Sequence, residues 1–104
     1  MVVPPASPEA DGFEWDEGKR EGNLAKHGAD FRRAVGVFRG SVVEQVDQRR
    51  SYGETRIRCV GEIDGRPYVI LYTWRGANRR IISARKANGR ETRAYRAADP
   101  GRGQ

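Results

Sequence analysis

The sequence is short of the residues on which most small structural and catalytic sites are built. Among 104 residues there is one cysteine, Cys59, and one histidine, His27. A lone cysteine excludes an internal disulfide and a thiolate cluster, and a single imidazole beside it is a poor basis for zinc. Glu44, Asp47 and Glu54 are too scattered to suggest a carboxylate metal site. We therefore expect neither a metal nor another cofactor. No glycine-rich phosphate loop and no Gly-x-Ser-x-Gly elbow is present. No apolar run approaches the roughly 20 residues of a membrane helix. The opening Met-Val-Val-Pro-Pro-Ala-Ser-Pro lacks the basic and long apolar stretches of a secretion signal. The expected compartment is the cytoplasm.

What the chain does have is positive charge. Its 20 lysines and arginines outnumber 14 acidic residues, for a formal net charge of +6. Such a balance suits nucleic acid, an acidic protein or a membrane surface. With no long apolar run to support the last, we expect no membrane association. Only 37% of the residues are hydrophobic, so the core must be thin, one sheet with helices packed on it. The length suffices for one domain. We place it at residues 13–98, between a proline-bearing disordered leader over 1–12 and a disordered tail over 99–104.

Local signals divide that domain. Phe13-Glu14-Trp15 alternates like a small strand. Asp16 can cap a helix to about His27, with Gly28 just beyond it, although Gly18 and Gly22 weaken it. Asp30 can cap a second helix, on which Phe31, Ala34, Val35 and Phe38 make one apolar stripe before Gly40. Four strands follow: 42–46, about 55–63, about 66–74 and 79–86. Arg49 to Gly53 reads as a polar loop, Asp64-Gly65 as a tight hairpin, and Gly76-Ala77-Asn78 as another turn. The third strand is apolar on both faces and should be central. Asn88 with Glu91 forms a capping-box signature for a last helix whose inner residues would be Tyr95 and Ala98. The expected fold is α+β: two helices, an antiparallel β-sheet meander, then one C-terminal helix.

Three places can carry chemistry. The last third is rich in arginine, including Arg75, Arg79, Arg80, Arg85, Arg90, Arg93, Arg96 and Arg102, with Lys86 among them. Guanidinium groups match phosphate oxygens, although charges on an edge strand also serve solubility. Regular alternation would put Arg79, Ser83 and Arg85 on one face and Arg80 and Lys86 on the other. On the first helix, Lys19, Asn23 and Lys26 or His27 make a polar stripe. A histidine at a helix end commonly serves the dipole, and it can also move a proton near neutral pH. In Gly53-Glu54-Thr55-Arg56, Glu54 is a candidate base and Arg56 a candidate phosphate contact, although such pairs are common on surfaces. Tyr52, Tyr68, Tyr72, Trp74 and Tyr95 offer rings for base stacking, but aromatics in strands are usually core.

Taken together, these segments resemble the BrnT family, the toxin half of BrnT–BrnA toxin–antitoxin pairs. The resemblance runs from Phe13-Glu14-Trp15-Asp16 through Lys19, Asn23, Lys26-His27-Gly28, Phe31 and Phe38. It continues with Gly53-Glu54-Thr55-Arg56 and is most specific in Arg80-Ile81-Ile82-Ser83-Ala84-Arg85-Lys86-Ala87, followed by Glu91 and Tyr95. It departs at Arg32-Arg33, where the family commonly has acidic residues. The resemblance implies a RelE-like fold, ribonuclease activity, and a BrnA antitoxin through which alone the complex reaches operator DNA.

Metal-free RNA cleavage needs a base for the 2′-hydroxyl, positive donors for the phosphate and an acid for the departing 5′-oxygen. Arg56, Arg80 and Arg85 are the expected phosphate contacts, with Lys26 as a further one. His27 and Glu54 are the candidates for proton transfer, acid and base unassigned between them, although a glutamate near arginines stays ionised and suits the base. Ser83 would orient a phosphate or an arginine. Lys19, Arg79, Lys86 and Arg93 are the expected RNA-binding periphery. Arg80 and Arg85 can share a cleft only if the strand is irregular; otherwise Arg79, Ser83 and Arg85 form the set. Two other readings share the basic surface: a non-catalytic RNA-binding module, and a protein-interaction module for an acidic partner.

Overall fold

The structure is a computed structural model that describes residues 2–3, 12–48 and 53–98. Its elements run β1 (Val2–Val3), β2 (Phe13–Glu14), α1 (Glu17–His27), α2 (Phe31–Ala34), a 3₁₀ helix (Val35–Arg39), β3 (Val42–Val46), β4 (Arg56–Ile63), β5 (Arg66–Arg75), β6 (Asn78–Lys86) and α3 (Gly89–Ala98). The six strands form one sheet in the order β1-β3-β4-β5-β6-β2.

The α+β class and the antiparallel run from β3 to β6 match the reading from sequence, and β5 is flanked on both sides. The sheet as a whole is mixed, because β2 pairs parallel with β6 through Phe13–Arg79 and Glu14–Arg80. The expected meander is therefore corrected at one edge: a segment from before the helices returns to flank the last strand. At the other edge, Val2–Val3 of the expected leader pair antiparallel with β3. Residue 1 and residues 4–11 of the leader lie outside the described residues, as do most of the Arg49–Gly53 loop, Tyr52, Arg102 and the tail.

Local chemistry sets the element ends. The Asp16 carboxylate accepts the Lys19 N–H at 2.9 Å, and Gly28, at φ 69°, closes α1 through a 2.8 Å bond from its N–H to Leu24 O. The second helix keeps its Asp30 cap but is α-helical only to Ala34. Val35-Gly36-Val37 combines β-branching and glycine, both poor in an α-helix, and the turn tightens to 3₁₀ through Arg39. Asp64 (φ 52°) and Gly65 (φ 79°) make the β4–β5 hairpin. Asn78 belongs to β6 rather than to the turn before it. The capping box of α3 forms reciprocally, Asn88 N–H to Glu91 at 2.9 Å and Glu91 N–H to Asn88 at 2.8 Å. Tyr95 faces inward as expected, whereas Ala98 is exposed at the last turn.

The main core lies on one face of the sheet. Phe31, Val37 and Phe38 from the helical segments meet Val42, Cys59, Ile70, Tyr72 and Ile81. Gly61 lets the 3₁₀ helix approach β4, since a Cβ there would stand 2.7 Å from Val42 Cγ1 and 2.8 Å from Val37 Cβ. The opposite face is covered over only part of its length. Tyr95 of α3 packs on Val60 and Val69, with Val43 and Ala87 beside them.

Asn23 corrects the reading of α1 as a wholly polar stripe. It is buried, while Lys19, Lys26 and His27 are exposed. Its amide donates to Ala84 O at 2.8 Å and Ala29 O at 2.9 Å and accepts from Ala84 N at 3.2 Å. It thus supplies a strand-like partner where β6 runs beyond β2.

Two stability changes follow, both measurable by urea unfolding. Asn23→Ala leaves the Ala84 edge groups without this partner and should cost about 1–3 kcal/mol. Gly61→Ala overpacks the contact with Val37 and Val42 and should cost about 1–3 kcal/mol.

Candidate functional site

β6 contains one residue more than β5 requires. Leu71 lies opposite Ser83 and Tyr72 opposite Ile81, so Ile82 has no partner in the register. This bulge shifts the alternation by one position. Beyond it, Arg79 turns to the core face with Ile81. Arg80 joins Ser83 and Arg85 on the other face, opposite Thr73, Leu71 and Val69 respectively.

That second face can be followed across the sheet in rows. Arg56 pairs with Thr73, which pairs with Arg80, which lies beside Glu14 of β2. The next row is Gln45, Arg58, Leu71 and Ser83; the next is Val43, Val60, Val69 and Arg85. Neighbouring strands are about 5 Å apart and successive rows about 7 Å. Arg56 and Arg80 are therefore rooted about 10 Å apart. The apolar packing of α3 centres on the third row, leaving the first two as a half-buried basic surface.

Each arginine of this surface is steered by a carboxylate. Arg56 Nε donates to Glu54 at 3.2 Å, and Arg75 approaches Glu54 at 3.9 Å. Arg80 donates to Glu14 at 2.8 Å. Arg85 bonds both oxygens of Glu91 at 2.8 Å, and Arg58 bonds the same carboxylate at 2.7 Å. Hydrogen bonds from Arg85 first, then from Asn88 N–H and Arg58, hold the Glu91 carboxyl well below its usual range despite partial burial. Glu14 is lowered by hydrogen bonds from Asn78 and then Arg80. Thr73 donates to Thr55 O at 2.6 Å and ties the loop bearing Glu54 to the sheet.

The expected residues divide accordingly. Arg56, Arg80, Ser83 and Arg85 share this face, with Glu54 at its border. Lys19, Lys26 and His27 are exposed on α1, which meets the sheet at β6 through Asn23 and Ala84. Among the described residues, no hydrogen bond or ion pair joins them to the arginine face. Arg93 is exposed on α3, and Lys86 is exposed at the end of β6, opposite Tyr68 in the register. Arg79 lies on the other face, with its guanidinium carbon 4.4 Å from the Phe38 ring centre, 4.6 Å from Trp74, 5.6 Å from Tyr72 and 6.0 Å from Phe13. This is a packed cation–π arrangement, and the alternative set built on Arg79 is excluded by the bulge.

Arg58 was not among the expected site residues, although it stands two positions from Arg56 on the same strand. Glu14 and Thr73 were also missed; their contribution depends on pairings between distant segments. Tyr72 and Cys59 are withdrawn from chemistry. Burial and then the Glu44 carboxylate raise the pKa of the Tyr72 hydroxyl, which donates a hydrogen bond to that carboxylate. Cys59 is buried, and desolvation followed by the charge of Glu44 holds its thiol well above the usual range. Among the described residues no group of three or more His, Cys, Asp or Glu is arranged to hold a metal ion, and no helix is long and apolar enough to cross a membrane.

The comparison with curated proteins finds no match. The family described as "Ribonuclease toxin, BrnT, of type II toxin-antitoxin system" matches residues 15–91, which span β3 to β6 and the Arg56, Arg80 and Arg85 positions. The chain belongs to the BrnT family of ribonuclease toxins.

Proposed function

We propose that this chain is a metal-independent endoribonuclease toxin acting on cytoplasmic RNA through the arginine-bearing face of its sheet. The observation that carries the reading is the Ile82 bulge, which gathers Arg80, Ser83 and Arg85 on the face that also bears Arg56. In the proposed reaction the 2′-hydroxyl attacks the adjacent phosphorus and its proton passes to a base. The bond to the 5′-oxygen breaks, and that oxygen takes a proton from an acid. The products are a 2′,3′-cyclic phosphate and a 5′-hydroxyl.

Arg56, Arg80 and Arg85 stabilise the charge that grows on the phosphate oxygens. Ser83 lies between Arg80 and Arg85 on the same strand face and orients the phosphate. Glu54, at the border beside Arg56, is the carboxylate placed to take the 2′-hydroxyl proton. His27 enters as the acid only if the bound RNA extends to the end of α1. Lys19, Lys26, Lys86 and Arg93 steer RNA from the periphery. A RelE-like architecture and a BrnA-type antitoxin, with operator DNA reached only through it, complete the reading and rest on the family resemblance.

Incubation of the purified protein with RNA in EDTA tests the reaction. Cleavage should persist and leave cyclic phosphate ends. Folded Arg80→Ala should lose about 10²–10³-fold in kcat, and Glu54→Gln about 10²–10⁴-fold. His27→Ala at the wild-type rate would remove His27 from the mechanism. Recovery of intact RNA after salt-sensitive binding to the wild type would favour a non-catalytic RNA-binding module. Full activity in both Arg80→Ala and Glu54→Gln would displace the site.

A further inference from the structure

Glu91 does two separable things. Its Oε1 accepts the Asn88 N–H at 2.9 Å and so caps α3. Its two oxygens also receive Arg85 through both Nη atoms and Arg58 through Nη2, at 2.7–2.8 Å. The Glu91 side chain is only 13% exposed, against 26% for Arg58 and 39% for Arg85. A shielded carboxylate thus grips two more accessible guanidinium groups from β4 and β6.

We propose that Glu91 is a positioning residue that presets Arg58 and Arg85 as a pair, and that Arg58 contacts a phosphate of bound RNA. This rests on the ribonuclease reading of the same face. Arg58 spends only Nη2 on the carboxylate; among the described residues its Nε and Nη1 have no hydrogen-bond partner. Its row lies between the Arg56–Arg80 row and the Val69–Arg85 row. Arg58 also lines both the recess of about 360 Å³ beneath α3 and the recess of about 430 Å³ at the end of β3, so a ligand can reach it. Holding both groups in advance removes the ordering that two flexible arginines would otherwise undergo on meeting a phosphate.

The competing role for Glu91 is anchoring α3 alone. Glu91→Gln separates the two. Glutamine at this position of a capping box still accepts the Asn88 N–H. It has one acceptor oxygen instead of two, and its amide NH₂ opposes a guanidinium donor. The helix cap survives and the double clamp does not.

The experiment uses the full chain as wild type, Glu91→Gln, Arg58→Ala and the double variant, each checked by thermal unfolding. One readout is kcat and KM on an RNA oligonucleotide. The other is affinity for its 2′-O-methyl analogue, which has no free 2′-hydroxyl to attack. We expect Glu91→Gln to lose about 10- to 100-fold in kcat and to bind the analogue more weakly, because both arginines must then be ordered on meeting the phosphate. Arg58→Ala should reduce both kcat and affinity. The loss in the double variant should fall clearly short of the product of the single losses, since part of the effect of Glu91 passes through Arg58 and the rest through Arg85. Wild-type kcat in Glu91→Gln, or a double-variant loss equal to the product of the single losses, overturns the proposal. If Glu91→Gln fails to fold, Arg58→Ala carries the test, because it leaves the cap and the Arg85 pair in place; unchanged affinity and kcat there overturn the proposal. If the wild type cleaves no RNA, the ribonuclease reading fails by itself. Affinity for the 2′-O-methyl analogue then decides: coupled losses support the clamp, and independent losses overturn it.

Discussion

The extra residue at Ile82 determines which arginines meet solvent and which meet the core. In an unbroken strand Arg79, Ile81, Ser83 and Arg85 would share a face. The core needs Ile81 and Ala84, and both are buried on the main-core side. Two inward residues separated by three positions cannot be accommodated by strict two-residue alternation. The bulge resolves the conflict, and it also brings Arg80 to the face of Ser83 and Arg85. Packing of the hydrophobic side and assembly of the basic side are therefore consequences of the same irregularity.

Concentrating arginines on one surface raises a problem of mutual repulsion and of order. Glu14, Glu54 and Glu91 answer it from the rim, coming respectively from β2, the loop before β4 and α3. These ion pairs fix directions more than they add stability, since partly exposed pairs contribute little. Their value is geometric. Each carboxylate fixes the direction of the guanidinium it meets. Arg79 is handled differently. Surrounded by four aromatic rings, with Nε buried and unpartnered, it is held by π faces and serves the packing around Phe38 and Trp74.

Features encoded by neighbouring residues were legible before any fold was known. Asp16 with Gly28, Asp64 with Gly65, and Asn88 with Glu91 each specify a backbone end within a few positions. The four-strand order, the central place of β5 and the inward Tyr95 followed from periodicity. What remained hidden depends on distant partners. No local rule says that Phe13–Glu14 will lie parallel to Arg79–Arg80, or that Asn23 will turn from an apparent surface stripe to the backbone of Ala84. Ile81 and Ile82 look alike in sequence, so the unpaired one emerges only from the register with β5. The gathering of Arg56, Arg80, Ser83 and Arg85 was foreseeable only on condition of an irregular strand. The residues of α1 do not join them through any described ion pair or hydrogen bond, and Arg58 escaped selection because its steering group comes from the last helix.

The parallel pairing of β2 with β6 has a temporal consequence. Arg80 meets Glu14 across 66 positions of chain, so β2 is synthesised well before the strand it pairs with. A nascent chain halted before β6 has no Arg80 or Arg85 and no partner for β2. It also lacks Ala84, to which Asn23 bonds. The complete arginine surface can assemble only after β6 and α3 have been made and have emerged from the ribosome. Folding order alone thus delays the finished surface until β6 and α3 have both been synthesised.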